Sequence, residues 1–281
     1  MYFKNLEDKC LYYRGLSDYK LLPNSYVLVM LDGRSFSKMI KNKFEKPFDD
    51  SFIEMMNETA KYVCENVQGC KFAYVQSDEI SLVLTDFDTP TTDSFFGNRI
   101  CKIQSIIASL ATAKFNQLMT IYNLSKNCYD NKLSDGEDTI YNVKQAIDYI
   151  TDSKLIQFDC KCWNVPSYND VFAWFLYRQI DCIRNSKQQT AQAYLSHKLL
   201  MGKETDEQIK LLLEEKGIDW NCLGNNKKYG RFVWKQKVLL SNIETGDVYQ
   251  RNKWIVSPGF PLMEKDGKDK FNDLDIIPKI Y

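Results

Sequence analysis

Short apolar runs alternate with longer amphipathic segments along the first half of the chain. Residues 26–31 form an apolar run rich in β-branched and aromatic side chains, which ends at an Asp-Gly pair and predicts a buried strand. Residues 48–66 place apolar side chains at helical spacing and predict an amphipathic helix. Residues 71–76 and 80–84 are two further apolar runs, and the three polar residues between them predict a hairpin.

A second helix and a fourth strand complete the pattern. Residues 100–122 carry many small side chains suited to close packing on a sheet, and residues 155–162 predict a strand that ends before Pro166. The order strand, helix, strand, strand, helix, strand is that of the ferredoxin-like unit, the α+β palm arrangement of an antiparallel sheet with two helices. Because a helix crosses between the first two strands, the third strand should return antiparallel beside the first. Asp32 and Asp78-Glu79 are therefore expected at the same edge of the sheet.

The remainder of the chain predicts an insertion and a second unit. Residues 123–154 are polar and turn-rich before a short amphipathic stretch, so we expect a peripheral insertion there. The later predicted elements are two helices and a strand, over residues 169–200, 206–216 and 230–240. This pattern predicts a palm-like domain over residues 1–165 and a mainly helical, fingers-like region over residues 166–281, packed on the palm.

Composition narrows the class of protein. With 281 residues and 44% hydrophobic side chains the chain can bury a substantial core, but its 37 basic and 37 acidic residues cancel, so binding to RNA would need local positive charge. The nine cysteines form no C-x-x-C pair, which favours reduced thiols over a disulfide framework or a zinc site. The charged start and the lack of an apolar run of about 18 residues predict a cytoplasmic protein that does not bind a membrane.

Carboxylates gathered at one end of a sheet are the main chemical signal. The single histidine, His197, excludes a mechanism that needs two imidazoles, so carboxylates, lysines and hydroxyls must carry any chemistry. Two Mg²⁺ ions about 3.5 to 4 Å apart need hard oxygen ligands, and Asp32 and Asp78 are the candidates to bridge them. Gly33 can expose a backbone carbonyl, and Glu79 can act in an outer shell. Either motif alone is typical of an ordinary turn, and only their matched positions favour a catalytic site.

The segment after the first strand has the features of a phosphate-binding loop. Residues 32–38 can wrap a triphosphate with backbone N–H groups, while Arg34 and Lys46 supply positive charge. Phe36 can stack on a base, although its position fits a core side chain equally well. Lys46 fits a solvated surface charge equally well.

Five short motifs in register resemble those of the tRNA-His guanylyltransferase family. They are Leu31-Asp32-Gly33-Arg34-Ser35-Phe36, Lys46-Pro47, Gln76-Ser77-Asp78-Glu79-Ile80-Ser81, Phe158-Asp159 and Arg178-Gln179-Ile180-Asp181-Cys182. Each motif is weak by itself, but their order and approximate spacing match the family over roughly residues 20 to 240.

The resemblance implies a polymerase-like palm with Mg²⁺ held by Asp32, the Gly33 carbonyl and Asp78, and with catalytic roles for Asp32, Asp78 and Glu79. The implied nucleotide pocket comprises Asp32, Gly33, Arg34, Ser35, Phe36, Ser37, Lys46, Ser77, Asp78 and Asn185. Members of the family use ATP to adenylylate the 5′-monophosphate of a tRNA. The 3′-hydroxyl of an incoming nucleoside triphosphate such as GTP then displaces AMP. Members are generally tetramers, which implies a homotetramer built as a dimer of dimers.

One segment departs from the branch of the family that acts on tRNA-His. That branch has His-Ile-Asn-Asn-Leu-Tyr after its Arg-Gln-x-Asp-Cys motif, whereas residues 183–188 here read Ile-Arg-Asn-Ser-Lys-Gln and lack the His and the Tyr. Arg184-Asn185-Ser186 is more similar to the guanylyltransferase-like branch, which repairs truncated tRNA 5′ ends with the opposing strand as template. The resemblance therefore favours templated 5′-end repair over strict addition to tRNA-His.

Contacts to RNA are predicted in the second half, although basic residues at this density are often only a solvated face. The candidates are Arg178, Arg184, Lys187, Lys198 and Lys203, with Lys227, Lys228 and Arg231 nearby in sequence. His197 is expected to be a surface or packing residue.

Two other functional classes share parts of this pattern. A non-catalytic RNA-binding module of the RRM type has the same strand order but needs aromatics on its central strands, and residues 81–84 have none. A nucleotide cyclase of the diguanylate type has a palm and two metals, but its Gly-Gly-Asp/Glu-Glu-Phe turn is absent from this sequence.

Overall fold

The computed structural model describes residues 3–39, 43–130, 154–241 and 246–279. Its strands are β1 (Tyr26–Gly33), β2 (Cys70–Gln76), β3 (Glu79–Leu84), β4 (Phe158–Val165), β5 (Arg231–Ser241) and β6 (Val248–Pro258). They form one six-stranded sheet in the order β4-β1-β3-β2-β5-β6. Every pair of neighbours in this sheet is antiparallel.

Helices cover both faces of the sheet. They are α1 (Leu6–Gly15), α2 (Phe36–Met39), α3 (Asp50–Asn66), α4 (Ile100–Asp130), α5 (Tyr168–Tyr194), α6 (His197–Leu200), α7 (Thr205–Lys216), α8 (Asn225–Lys228) and α9 (Lys265–Asp273). Side chains that accept a backbone N–H cap the longer helices, as Asp49 does for α3 and Ser167 for α5. Gly217 ends α7 with φ 66°, a left-handed conformation that glycine adopts without steric cost.

The predicted ferredoxin-like order is confirmed in the first half of the chain. The elements β1, α3, β2, β3, α4 and β4 follow one another as expected, and β3 runs antiparallel beside β1. The register places Asp32 opposite Glu79. The sequence prediction that these carboxylates share one edge of the sheet is therefore correct.

The sheet is wider than the four strands of the predicted palm. β5 pairs with β2, and β6 pairs with β5 along its whole length. The strand at β6 was not predicted because it forms the edge of the sheet, where Trp254 is its one buried residue and no apolar alternation marks it. The predicted division near residue 165 stays a prediction, although β5 and β6 are hydrogen-bonded into the sheet of the first half.

Two apolar cores lie on opposite faces of the sheet and fix its position. Successive residues of β1 alternate between them: Val27, Val29 and Leu31 pack with α3 and α4, while Tyr26 and Leu28 pack with α5 and α9. A strand that is buried on both faces needs apolar residues throughout, which explains the uninterrupted run of β1. Each fully buried large side chain of this kind contributes about 1.5 to 3 kcal/mol.

The segment predicted as an insertion is described only in part. Helix α4 continues past the predicted end at residue 122 to Asp130, and the amphipathic stretch near residues 143–150 lies outside the described residues. Among the helices of the described ranges, none combines the length and the apolar character that a membrane crossing requires.

Candidate active site

The site lies at the edge of the sheet where β1 ends and β3 begins. Asp32 is opposite Glu79 on β3 and opposite Asp159 on β4, so three acidic residues meet at neighbouring strand positions. A cavity of about 740 Å³ opens beside them and is lined by Asp32, Gly33, Ser77 and Asp78. The size suits a nucleotide, because ligand cavities commonly measure about 300 to 1,000 Å³.

Most of the residues predicted for the nucleotide pocket line this cavity. They are Asp32, Gly33, Ser35, Phe36, Lys46, Ser77, Asp78 and Asn185. Arg34, which was also predicted for the nucleotide pocket, does not line the cavity. Glu79, which was predicted as a catalytic residue, does not line it either. The side chain of Ser37 lies outside the described part.

Arg34 and Phe36 each have a partner that explains their position. The Arg34 Nη1 donates to Oε1 of Gln157 at 3.0 Å, and the exposed guanidinium lies at the approach to β4. Phe36 is only 3% exposed and its ring packs against Phe115 and Phe158, so the structure gives it the core role that was one of its two expected alternatives.

Burial and neighbouring charges shift the pKa of both candidate metal ligands. Burial raises the pKa of Asp32 and the adjacent carboxylate of Asp159 raises it further, while the charges of Lys161 and Arg178 oppose the shift. Burial likewise raises the pKa of Asp78, while the Ser77 hydroxyl, which donates to Asp78 Oδ1 at 3.0 Å, opposes the shift. In the described part of the chain neither carboxylate forms an ion pair with a basic side chain.

These few oxygen donors fit Mg²⁺ better than they fit a metal ion whose ligands all come from the protein. Within the described ranges no cluster of three or more His, Cys, Asp or Glu side chains forms a complete metal site. Mg²⁺ usually binds one or two carboxylates and completes its coordination with water and substrate phosphates. Asp32, Asp78 and the Gly33 carbonyl would supply such a partial set.

A second group of charged residues adjoins the cavity through Gln76, and its acidic and basic members are paired with one another. We call it the Glu79 cluster, and it comprises Gln76, Glu79, Arg178 and Asp181. Arg178 of α5 binds Glu79 with two parallel hydrogen bonds, Nη2 to Oε1 at 2.8 Å and Nε to Oε2 at 3.1 Å. Arg178 Nη2 also donates to Asp181 Oδ2 at 3.0 Å, and Gln76 Nε2 donates to Glu79 Oε2 at 3.0 Å.

The electrostatics of the Glu79 cluster follow from this geometry. Burial alone would lower the pKa of Arg178, but the charges of Glu79 and Asp181 outweigh it and raise the pKa. Burial raises the pKa of Glu79, and Arg178 opposes this shift through its charge and a bidentate contact typical of a carboxylate. Arg178 is 6% exposed and its guanidinium binds Glu79 in the interior, while its role as an RNA contact stays a prediction.

The same cluster positions one residue of the predicted pocket. Asn185 lies one turn after Asp181 on α5, and its Nδ2 donates to Asp181 Oδ2 at 3.3 Å. Further along this face, Gln189 and Gln192 also line the cavity. Sequence reasoning missed these two glutamines, although spacings of four and seven residues from Asn185 on a predicted helix were a usable signal.

Of the other basic residues predicted for RNA, Lys227 lines the cavity and pairs with Asp50 of α3, whereas Arg184, Lys187, Lys198 and Lys203 do not line it. Arg184 is exposed and paired with Asp181, and Lys187 is paired with Asp206 of α7. Lys198 and Lys203 are exposed. Their role in binding RNA stays a prediction.

Two serines of the cavity have unusual backbone conformations. Ser35 has φ 55° and Ser77 has φ 43°, in the left-handed region that residues with a Cβ rarely adopt. Each of them adjoins a loop that carries a candidate metal ligand. Such conformations concentrate at functional sites, where the surrounding structure holds them in place.

Arg231 is another cavity residue whose placement the sequence did not predict. It was grouped with surface basic residues, but its side chain is 5% exposed and lines the cavity. Its Nε donates to Oδ1 of Asn57, on α3, at 2.9 Å. Nothing in the local pattern gave this position, since it depends on β5 pairing with β2.

Comparison with known proteins agrees with the resemblance of the five motifs. The family model described as tRNAHis guanylyltransferase matches residues 3–166, which is more than half of the chain. The chain belongs to the tRNAHis guanylyltransferase family. A member of this family is a nucleotidyltransferase, so the chain is an enzyme of that class.

Individual members of the tRNAHis guanylyltransferase family match over most of the chain. The tRNA(His) guanylyltransferase of Schizosaccharomyces pombe is 30% identical over 248 residues, which cover 85% of this chain and 85% of that protein. The structure of a bacterial tRNA(HIS) guanylyltransferase-like protein in complex with ATP has a TM-score of 0.76 at 30% identity, covering 97% of this chain and 99% of that one. A structure of such a bacterial protein in complex with GTP has a TM-score of 0.67 at 29% identity, covering 94% and 96%.

Proposed function

We propose that the chain adds nucleotides to the 5′ end of a tRNA, so that the RNA grows in the 3′-to-5′ direction. The observation that carries the proposal is the pair Asp32 and Asp78, which line one cavity and form no ion pair among the described residues. The bacterial relatives solved with ATP and with GTP support these nucleotides as substrates.

The proposed chemistry has two displacements at phosphorus. In the first, an oxygen of the tRNA 5′-monophosphate attacks the α-phosphorus of ATP, forms a phosphoanhydride bond and releases pyrophosphate. In the second, the 3′-hydroxyl of an incoming GTP attacks the 5′-phosphorus of the tRNA, loses its proton and displaces AMP. The product is a tRNA that is one nucleotide longer at its 5′ end.

The chain's own residues bind and orient the reactants. Asp32, Asp78 and the Gly33 carbonyl would hold two Mg²⁺ ions, whose chemistry is to lower the pKa of the attacking hydroxyl and to offset charge on the leaving group. Lys46 is exposed beside the cavity and would neutralise part of a triphosphate. Asn185, oriented by Asp181, would hydrogen-bond the nucleotide.

Templated repair of a tRNA 5′ end is the form of the reaction that we favour. The segment after Cys182 reads Ile-Arg-Asn-Ser and lacks the His and the Tyr of the branch that acts on tRNA-His. Without that His and Tyr, selection of a tRNA by its identity has less support than selection by the opposing strand.

We further propose that the protein is a homotetramer, as the family resemblance implies. Helix α1 has no buried residue. Four apolar side chains in the helix and at its C-terminal end are 45% to 76% exposed: Leu6, Leu11, Tyr13 and Leu16. Exposed apolar surface of this kind marks a protein interface. Light scattering after gel filtration would show the mass of four chains, and a monomer would contradict the proposal.

The test of the reaction is incorporation of labelled GTP into a tRNA that lacks its 5′ nucleotide, with Mg²⁺ and ATP present. We expect label at the 5′ end with the wild-type protein and with Asp93→Ala, a control that removes an exposed carboxylate outside the cavity lining. We expect none with Asp78→Ala. RNA that binds without incorporation would point to a binding module, and turnover of nucleotide that does not depend on RNA would point to a cyclase.

A further inference from the structure

Arg231 occupies the wall of the cavity that also carries Ser77 and Asp78. It is the first residue of β5 and lies opposite Val75 of β2, two positions before Ser77. Its side chain is 5% exposed and lines the cavity. The side chain is therefore largely removed from bulk water and forms part of the boundary of the space that a ligand would fill.

A buried amide fixes the orientation of this guanidinium. Asn57 is 7% exposed, and its Oδ1 accepts from Arg231 Nε at 2.9 Å while its Nδ2 donates to Glu54 Oε2 at 3.2 Å. Both ends of the amide are thus engaged. The contact engages Nε and leaves Nη2 for another partner.

The protein supplies no such partner among the residues that the structure describes. Arg231 Nη2 is buried and has no hydrogen-bond acceptor there, and Arg231 forms no ion pair in the same ranges. A buried guanidinium without a counter-charge is costly, and burial lowers the pKa of Arg231 accordingly. Cys182, Tyr74 and Glu54, in decreasing order, only partly oppose this lowering of the pKa.

We propose that Arg231 binds a phosphate group of the ligand in this cavity, an inference that rests on the proposed function. The guanidinium presents donors in a planar fork that matches phosphate oxygens, and the neighbouring carboxylates mark where cations would accompany the same phosphate. Two substrates carry such a group: the triphosphate of a nucleotide and the 5′-phosphate of an RNA.

The test measures equilibrium binding, so it does not depend on turnover. The variants are Arg231→Met, which keeps the size of the buried side chain and removes the charge, and Arg231→Lys, which keeps the charge and removes the fork. Arg251→Met is the matched control, because Arg251 is an exposed arginine of the adjacent strand β6. The probes are ATP, inorganic tripolyphosphate, adenosine, and a short RNA with either a 5′-phosphate or a 5′-hydroxyl, each titrated by calorimetry.

We expect Arg231→Met to weaken binding of the phosphate-bearing probe by about 10-fold to 100-fold, as a charge-assisted double hydrogen bond implies. Arg231→Lys should lose part of this affinity, and Arg251→Met should match wild type. Loss for ATP and tripolyphosphate assigns the triphosphate, whereas loss for 5′-phosphorylated RNA alone assigns the RNA end. Adenosine and 5′-hydroxyl RNA should be unaffected.

Unchanged affinity for every phosphate-bearing probe in Arg231→Met would overturn the assignment. The melting temperature without ligand checks the fold: we expect it to be unchanged or higher in Arg231→Met, since an unpaired buried charge is removed. If the assignment fails while the wild-type protein still incorporates GTP, the proposed reaction stands without this contact. If wild-type protein binds none of the probes, both fail.

Discussion

The cavity wall and the Glu79 cluster both hold charged side chains, but three residues of the wall, Asp32, Asp78 and Arg231, form no ion pair in the described ranges. A further charged residue of the lining, Lys227, pairs with Asp50 of α3. In the Glu79 cluster, Arg178 binds both Glu79 and Asp181. We infer that the paired charges hold the fold of the site and that the unpaired charges bind what enters it.

This difference separates two effects that mutations usually mix. Removing a charge from the cavity wall should cost activity or ligand binding but little stability. Removing a charge from the Glu79 cluster should cost stability, because its partner would then stay buried and uncompensated.

The largest effect is expected at Asp78. Asp78→Asn keeps the shape of the side chain but loses the anionic oxygen that a Mg²⁺ ion needs. We expect incorporation of GTP to fall by about a thousandfold or more, which equals about 4 kcal/mol of transition-state stabilisation. Single-turnover rates at saturating RNA would measure it. A rate within tenfold of wild type would mean that Asp78 is not a metal ligand.

The second largest effect should be on stability, at Glu79. Glu79→Ala leaves Arg178 buried with only Asp181 as a partner, and we expect the free energy of unfolding to fall by about 3 kcal/mol. Chemical denaturation in urea would give the value. The double variant Glu79→Leu with Arg178→Met replaces the pair by apolar side chains and should recover most of the loss. A single variant as stable as wild type would refute the structural role.

Two substitutions can give Arg231 a carboxylate partner like those of Arg178. Asn57→Asp combined with Glu54→Gln keeps the net charge but places a carboxylate against Arg231 Nε. We expect the affinity for the phosphate-bearing probe to fall about tenfold, or about 1.4 kcal/mol, while the melting temperature rises. Glu54→Gln alone is the control and should bind as wild type. An unaltered affinity in the double variant would show that Arg231 is not reserved for a ligand.

The smallest effect concerns pH. Because burial raises the pKa of Asp78 in the folded state, the folded protein holds this proton more tightly than the unfolded chain. The associated stability is present below the ordinary Asp pKa near 3.9 and is lost as the pH rises through the raised value. Without divalent ions, Asp78→Asn should therefore melt above wild type at neutral pH, and the difference should shrink toward pH 4. A less stable variant at neutral pH would reverse the sign and contradict this reasoning.

The strands that carry the site were predictable because a local sequence pattern marks each of them. The apolar run of β1 and the hairpin of β2 and β3 follow from the sequence, and the crossover rule then places Asp32 beside Glu79. The ion pairs of these side chains could not be predicted from local sequence. Arg178 and Arg231 are both basic residues of the second half, and the partner that distinguishes each of them lies far away in sequence. Arg178 meets Glu79 across 99 residues, whereas Arg231 meets only an amide, across 174 residues.

Edge position explains the other element that the sequence did not predict. Most of β6 is exposed and does not contribute to a core, so its sequence shows no alternation of apolar and polar residues. Its existence also determines where β5 and Arg231 lie, since β5 is held between β2 and β6. A site residue at the start of β5 can therefore be identified only when the pairing of the whole sheet is known.

A crystal structure with Mn²⁺ and a non-hydrolysable ATP analogue tests the central claim most directly, because anomalous scattering locates each ion. We expect two Mn²⁺ ions coordinated by Asp32 and Asp78 in the wild-type protein, with Glu79 still bound to Arg178. Ions held elsewhere, or an empty pair of aspartates beside a bound nucleotide, would contradict the claim that the unpaired charges of the cavity wall bind what enters it.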